Sequence, residues 1–170
     1  MNVNGLRKLR MVAVLIAMTG LFCLLGGQPA QASTATNTLS VTATVVNYCT
    51  VNTSSLSFGN YQGSDATATA TATLTCTNGT AETIGLDAGA NGAHAVGTTR
   101  AMTDGSSHYL SYEIYQNSGH TTVWDASTHT EAGTGTGSAQ SLTAYGDIPA
   151  NQLTAPAGSY TDTVNINVTY

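Results

Sequence analysis

The chain has 170 residues, only 8% of them charged, and a formal charge of −5 at pH 7. Three of its four basic residues, Arg7, Lys8 and Arg10, fall in the first ten positions, so that Arg100 alone faces nine acidic residues in the remainder, a formal −8. Such a surface repels phosphate backbones and offers no basic patch to anionic lipid, which excludes nucleic acid as a partner.

Residues 1–32 read as a cleaved secretory signal peptide. A positive start is followed by the apolar run Met11–Leu25 and then by Ala30 and Ala32 at the spacing signal peptidase reads. The run is about fifteen residues against the roughly twenty a helical span needs, so a retained anchor is the weaker alternative. Cys23 lies inside the run behind Leu21 and Phe22, which are not the small residues a lipoprotein site requires. Cleavage after Ala32 leaves about 138 residues, Ser33–Tyr170, enough for one domain, with no membrane span.

The stretch Thr38–Val45 alternates strictly: Leu39, Val41, Ala43 and Val45 share one face, and Thr38, Ser40, Thr42 and Thr44 the other. This is the period of a half-buried strand, and pattern alone does not say whether it pairs in its own sheet or in another. "CTVNTSSLSFGNYQG" carries a strand or two broken by Asn-Thr-Ser-Ser, and "ATATATATLTC", residues 66–76, is a second alternating strand. Asn78-Gly79 marks a hairpin turn, and "AETIGLDAG" a short strand. The Gly-rich residues 88–107 read as a long surface connection with one short strand at most. "HYLSYEIYQN" is a strand with Leu110, Tyr112 and Ile114 on one face, and "TTVWDA" pairs back on it. "HTEAGTGTGSAQ" reads as a flexible connection, "SLTAYGDI" as a strand and "PANQLTAPAGSY" as a proline-punctuated loop. The chain closes on Val164, Ile166, Val168 and Tyr170 along one face. Short strands between turns, with no helical periodicity, specify an all-β sandwich.

Beyond the leader only Cys49 and Cys76 remain, and an even count in an exported chain implies a disulfide. The alternative, half of a zinc site, lacks a second cysteine pair. His94, His108, His120 and His129 all fall in Gly/Ser/Thr loops at no spacing that forces convergence, so no metal is expected. There is no G-x-S-x-G turn and no acidic calcium loop, so no enzyme and no cofactor is expected. Trp124, Tyr109, Tyr112 and Tyr115 are read as core and rim aromatics in preference to sugar-stacking platforms. The Asn-x-Thr/Ser triplets at Asn52, Asn78 and Asn167 are expected by chance in a chain this rich in Asn and Thr.

In order and local pattern the chain resembles the spore coat protein U domain family, which includes subunits of archaic, Csu-type chaperone–usher pili. The residues that carry the resemblance are "NYCTV", "LSFGNY", "TLTCTNGT", "YLSYEIYQNSGHTTVW" and the closing "YGDIPANQLTAPAGSYTDTVNINVTY", with Gly-x-Tyr-x-Asp ahead of the last strand. The resemblance implies an immunoglobulin-like sandwich that lacks its last strand and is completed by donor-strand exchange. It implies a donor segment in residues 33–47, with Leu39, Val41, Ala43 and Val45 inserted into a neighbour, and an incomplete domain in residues 48–170. Val164, Ile166, Val168 and Tyr170 would be the strand a periplasmic chaperone pairs with, and Cys49 and Cys76 would tie the first two core strands. The implied partners are that chaperone, an outer-membrane usher and further copies in a linear polymer. The expected role is a shaft subunit of an adhesive pilus, exported through the periplasm to the cell surface, with a spore or cell coat, or a sugar-binding tip, as alternatives.

Overall fold

The computed structural model describes residues 30–170. The expected signal peptide therefore lies outside the described residues except for its last three positions. The chain divides into a unit ending at Ala43 and a unit of Thr44–Tyr170. In the first, no regular structure forms from residue 30 onward, and Leu39 and Val41 are 89% and 84% exposed.

The second unit is a β-sandwich of immunoglobulin-like kind. Its strands are β1 (Cys49–Thr53), β2 (Ala66–Cys76), β3 (Ala81–Leu86), β4 (Arg100–Thr103), β5 (Tyr109–Tyr115), β6 (Glu131–Thr134), β7 (Gln140–Ile148) and β8 (Ile166–Thr169). One sheet has the order β1-β2-β7-β5-β4 and the other β6-β3-β8, and every pairing is antiparallel. The only helical turn among the described residues is Gly92–His94, so none is long and apolar enough to cross a membrane.

Alternation places the core. On β2 the inward residues Ala72, Leu74 and Cys76 are buried while Thr67, Thr69 and Thr71 face solvent. Threonine suits such a strand because its branched Cβ packs on the pleat and its hydroxyl stays wet. Leu74, Ile84, Leu86, Leu110, Tyr112, Ile114, Trp124 and Ile148 form the buried cluster between the sheets. The Trp124 indole N–H donates to the Ile84 carbonyl at 3.1 Å, which satisfies its one polar group in the interior. Cys49 and Cys76 are direct register partners across β1 and β2 and are joined by a disulfide.

Several expectations need correction. "TTVWDA" does pair back on β5, through an antiparallel bridge between Tyr115 and Val123, the Trp124 N–H to the Ile114 carbonyl at 2.8 Å and the Gln116 N–H to the Thr122 carbonyl at 3.0 Å, but it forms no strand of its own and carries Trp124 into the core. The supposed flexible connection near residue 130 contains β6, which pairs with β3, because Gly133 and Gly135 let backbone lie close to the Glu82 and Cys76 side chains. The closing strand is shorter than its pattern: β8 spans Ile166–Thr169, with Val164 before it and Tyr170 after it. Arg100 does not sit in a surface connection. It opens β4, is 1% exposed and forms an ion pair with Glu113, which is 2% exposed.

Candidate functional site

The two sheets are not closed on one side. After Thr53 the chain leaves β2, held only by the Ser54 N–H to the Thr71 carbonyl at 2.9 Å and by the Thr71 N–H to Ser54 Oγ at 2.8 Å. Residues 55–60 make no backbone hydrogen bond, although Leu56 and Phe58 pack on the core. Opposite them runs the segment entering β8. Between these flanks lies a cleft of about 650 Å³ whose floor includes Ala70, Ala72, Ala144, Ile114 and Trp124.

The C-terminal flank is fixed from behind. Thr161 and Thr103 exchange two backbone bonds of 2.9 Å, the Ala90 N–H donates to the Thr163 carbonyl at 3.1 Å, and the Asp87 N–H donates to the Asn165 carbonyl at 3.1 Å. Asn165 pairs with Asp87 in the same register that sets Leu86 opposite Ile166 and Ile84 opposite Val168. Bonding alternates along an antiparallel ladder. The odd-numbered residues from Thr161 to Thr169 thus turn their backbone groups to the body. The even-numbered residues Asp162, Val164, Ile166 and Val168 turn theirs to the cleft, where Asp162 and Val164 have no backbone partner. An unpaired strand edge is bordered here by inward apolar side chains, since Val164, Ile166 and Val168 all pack against the core.

Two aspartates hold this flank in place. Asp162 accepts the Tyr112 hydroxyl at 2.7 Å on Oδ2, and the Ala90 N–H and Asn91 side-chain amide at 3.0 Å each on Oδ1. A Cβ at Gly89, which has φ +74°, would overlap that carboxylate, so glycine is required there by space and by backbone. Burial, reinforced by the bond to Asp162, pushes the Tyr112 phenol well above its ordinary range and keeps it a neutral donor. Asp87 accepts the N–H groups of Gly89 and Asn165 at 2.9 Å each, and the Asn165 amide at 2.6 Å. Burial alone would raise the Asp87 carboxyl, but the bonds from Asn165 and Gly89 outweigh it and hold it below the usual range. The sequence pattern identified the Gly-x-Tyr-x-Asp stretch but not this role for its aspartate.

Of the predicted site residues, the structure brings Cys49 and Cys76 together as a disulfide and sets Val164 and Ile166 on the cleft, while Val168 packs on the core further along β8 and Tyr170 is 51% exposed. Val45, in the second unit, is 82% exposed. The histidines stay apart. His108 Nδ1 lies 2.7 Å from Asp104, His129 Nδ1 lies 2.9 Å from Asp125, and His94 stacks on Tyr109 at 4.0 Å. Among the described residues no three metal-capable side chains cluster.

Residues 35–167 match the Spore Coat Protein U domain. Protein U of Myxococcus xanthus is 30% identical over 171 aligned positions, covering 91% of this chain and 95% of its own length. Among solved structures, a chain of the CsuC–CsuE chaperone–tip adhesion subunit pre-assembly complex, from the archaic chaperone–usher Csu pili of Acinetobacter baumannii, superposes with a TM-score of 0.56 at 21% identity. That match covers 75% of this chain, which spans 40% of the other, and at such identity it establishes the fold.

Proposed function

The chain belongs to the Spore Coat Protein U domain family, and on that membership and the open cleft we propose that it is a structural subunit of a surface fibre, in which each copy's N-terminal segment fills the next copy's cleft. The observation that carries this reading is a match of lengths. The edge from Asp162 to Val168 presents four residues whose backbone faces the cleft, and Leu39–Val45 presents four apolar side chains over the same seven residues. Burying two valines and a leucine yields about 5–9 kcal/mol before ordering costs, and the added strand would pair the open edge. The contact joins two different surfaces and does not close on itself, so it propagates as a filament.

The cleft's shape favours insertion antiparallel to β8. Phe58 and Leu56 lie so near Gly146 that a Cβ there would meet them at 2.7 and 2.8 Å, which crowds the cleft at the level where Gly146 pairs with Ala68 and Ile114. The alanines Ala70, Ala72 and Ala144 leave the other end deep. Antiparallel entry sets Leu39 and Val41 over the alanines and the small Ala43 at the constriction. Parallel entry would leave a void over the alanines and force Val41 into the crowded level.

Before assembly the cleft would need cover, and we assign that task to a periplasmic chaperone pairing with Val164, Ile166 and Val168, with delivery to an outer-membrane usher. The chaperone–subunit complex among the structural neighbours supports this partner by analogy of fold. A coat component without a fibre is the second reading, favoured by the family's own description. Both readings are non-enzymatic.

Val41→Asp tests the donor role, because it would place an unpaired carboxylate in a neighbour's core. The variant should fold and be captured by its chaperone but form no surface fibres. Thr42→Asp, on the opposite face of the pleat, should assemble nearly normally. Chaperone capture lost in Val41→Asp would make the segment part of its own subunit, and normal fibres from both variants would end the donor reading.

A further inference from the structure

A second cleft of about 700 Å³ continues the first and shares Leu56, Phe58, Met102 and Tyr160 with it. Its floor reaches Leu110 and Ile148, and Ile148 lies opposite Ala66, the β2 end remote from Cys76. The N-terminal segment is rooted at the other pole. The Val46 carbonyl accepts Thr77 Oγ1 at 3.2 Å, the Tyr48 carbonyl accepts the Thr77 N–H at 2.9 Å, and Asn47 Oδ1 accepts Thr80 Oγ1 at 3.3 Å. The chain is thus fixed to its own body from Val46 onward. Its apolar side chains there are nevertheless turned out, Val46 at 67% and Tyr48 at 60% exposure.

We infer that the second cleft is a socket for Val46 and Tyr48 of the neighbouring copy, so that successive subunits meet in a stiff joint with no free linker. This rests on the donor reading above. If Val45 takes the last position of the first cleft, level with Asp162, the donor chain leaves at the Tyr160 end. Three residues reach at most about 10 Å, so Tyr48 lands where the second cleft begins, and the pleat must end at Val45, just before the anchored body starts, for Val46 and Tyr48 to turn toward it. No residue intervenes between the inserted segment, which ends at Val45, and the anchored body, which starts at Val46, so the connection has none of the slack of a flexible tether. The socket also suits the guest. Leu153, 74% exposed, offers an apolar wall and Ser57, Asn60 and Ser159 supply polar lining, and tyrosine brings an apolar ring with a polar tip. The root of one copy and the socket of the next lie at opposite poles, as an unbranched chain of subunits requires.

The test is a pair of double-cysteine variants with the native Cys49–Cys76 bond retained, each assembled on cells and bridged with a short bis-maleimide. Tyr48→Cys with Ala157→Cys probes the socket, and Val41→Cys with Ala70→Cys probes the donor cleft. Because Tyr48 and Ala157 sit at opposite poles of one copy, a bridge between them must join two copies. Both variants should give ladders of covalent multimers on denaturing gels, and Tyr48→Ser introduced into the donor pair should keep that ladder while the fibres become visibly more flexible. A donor ladder without a socket ladder overturns the socket and leaves the donor reading standing. The absence of both ladders overturns the two together.

Discussion

Removing the Arg100 guanidinium should cost more stability than any other single polar change in the domain. Its Nε donates to the Asp87 carbonyl at 3.0 Å, and Nη2 donates to the carbonyls of Leu86 at 3.3 Å and Trp124 at 2.6 Å, while Nη1 pairs with Glu113. One side chain thus ties the edge of the larger sheet to the end of β3 and to the loop that carries Trp124. Glu113 also receives the Thr99 N–H at 2.8 Å and the Ile114 N–H at 3.0 Å, so it is fully engaged only while Arg100 is present. Arg100→Met strands a buried carboxylate and three carbonyls. Breaking a buried pair from one side costs about 3–5 kcal/mol, against a total of roughly 5–15 kcal/mol for a domain. The double variant Arg100→Met/Glu113→Leu should regain most of that loss, because the unpaired charge dominates the cost. Urea unfolding followed by the fluorescence of the single, buried Trp124 measures both, with the cleft filled by a synthetic peptide of residues 36–47. A loss below about 1 kcal/mol for Arg100→Met, or strict additivity in the double variant, would refute the reasoning.

Two further outcomes follow from the same structure. Unfolded, unreduced protein lacking its leader should show no titratable thiol, and replacing Cys49 and Cys76 with alanine should lower stability by about 3–4 kcal/mol, as expected for a separation of 27 residues. On acidification the urea midpoint should hold until the pH nears the ordinary carboxylate range and then fall. Hydrogen bonds hold Asp87, Asp104 and Asp125 below that range in the folded state, so the stability they supply is present above it and lost as pH drops through their lowered values. Asp147, raised by burial, works in the opposite sense. A midpoint that climbs from pH 5 to pH 3 would show that the three lowered groups do not govern the acid limb.

The sandwich was legible because its strands alternate cleanly. β2, β3 and β5 lie within the segments whose period marks them as strands, and β7 overruns its segment by one residue, Gln140. What the pattern hid was set by contacts far apart in sequence. Glu113 alternates like an outward residue, yet it is buried because residues 95–100 fold over it and bring Arg100 to its carboxylate. β6 reads as a loop because two of its four residues are glycine or alanine with a second glycine just after, and it becomes a strand only where β3 supplies the partner. The cleft itself is a property of two segments, 53–58 and 160–166, that no local period connects, so its presence came only from resemblance.

The low-complexity look of β2 acquires a physical reason once the cleft is known. A sandwich that closes on itself fills the space between its sheets with large side chains. Here β2 and β7 set Ala68 opposite Gly146 and Ala70 opposite Ala144, and large residues return at Leu142, opposite Ala72, at Leu74 and at Ile148 toward either end. An empty apolar trough of this size is unfavourable alone, since its lining loses contacts on one side. It becomes favourable when the missing atoms arrive on another chain. The threonines between those alanines keep the strand's outer face soluble without charge, and the whole Ala-Thr run then reads as a floor built shallow on one side and wet on the other. On this view the exposed Leu39 and Val41 and the under-filled floor are two halves of one core, divided between neighbouring copies.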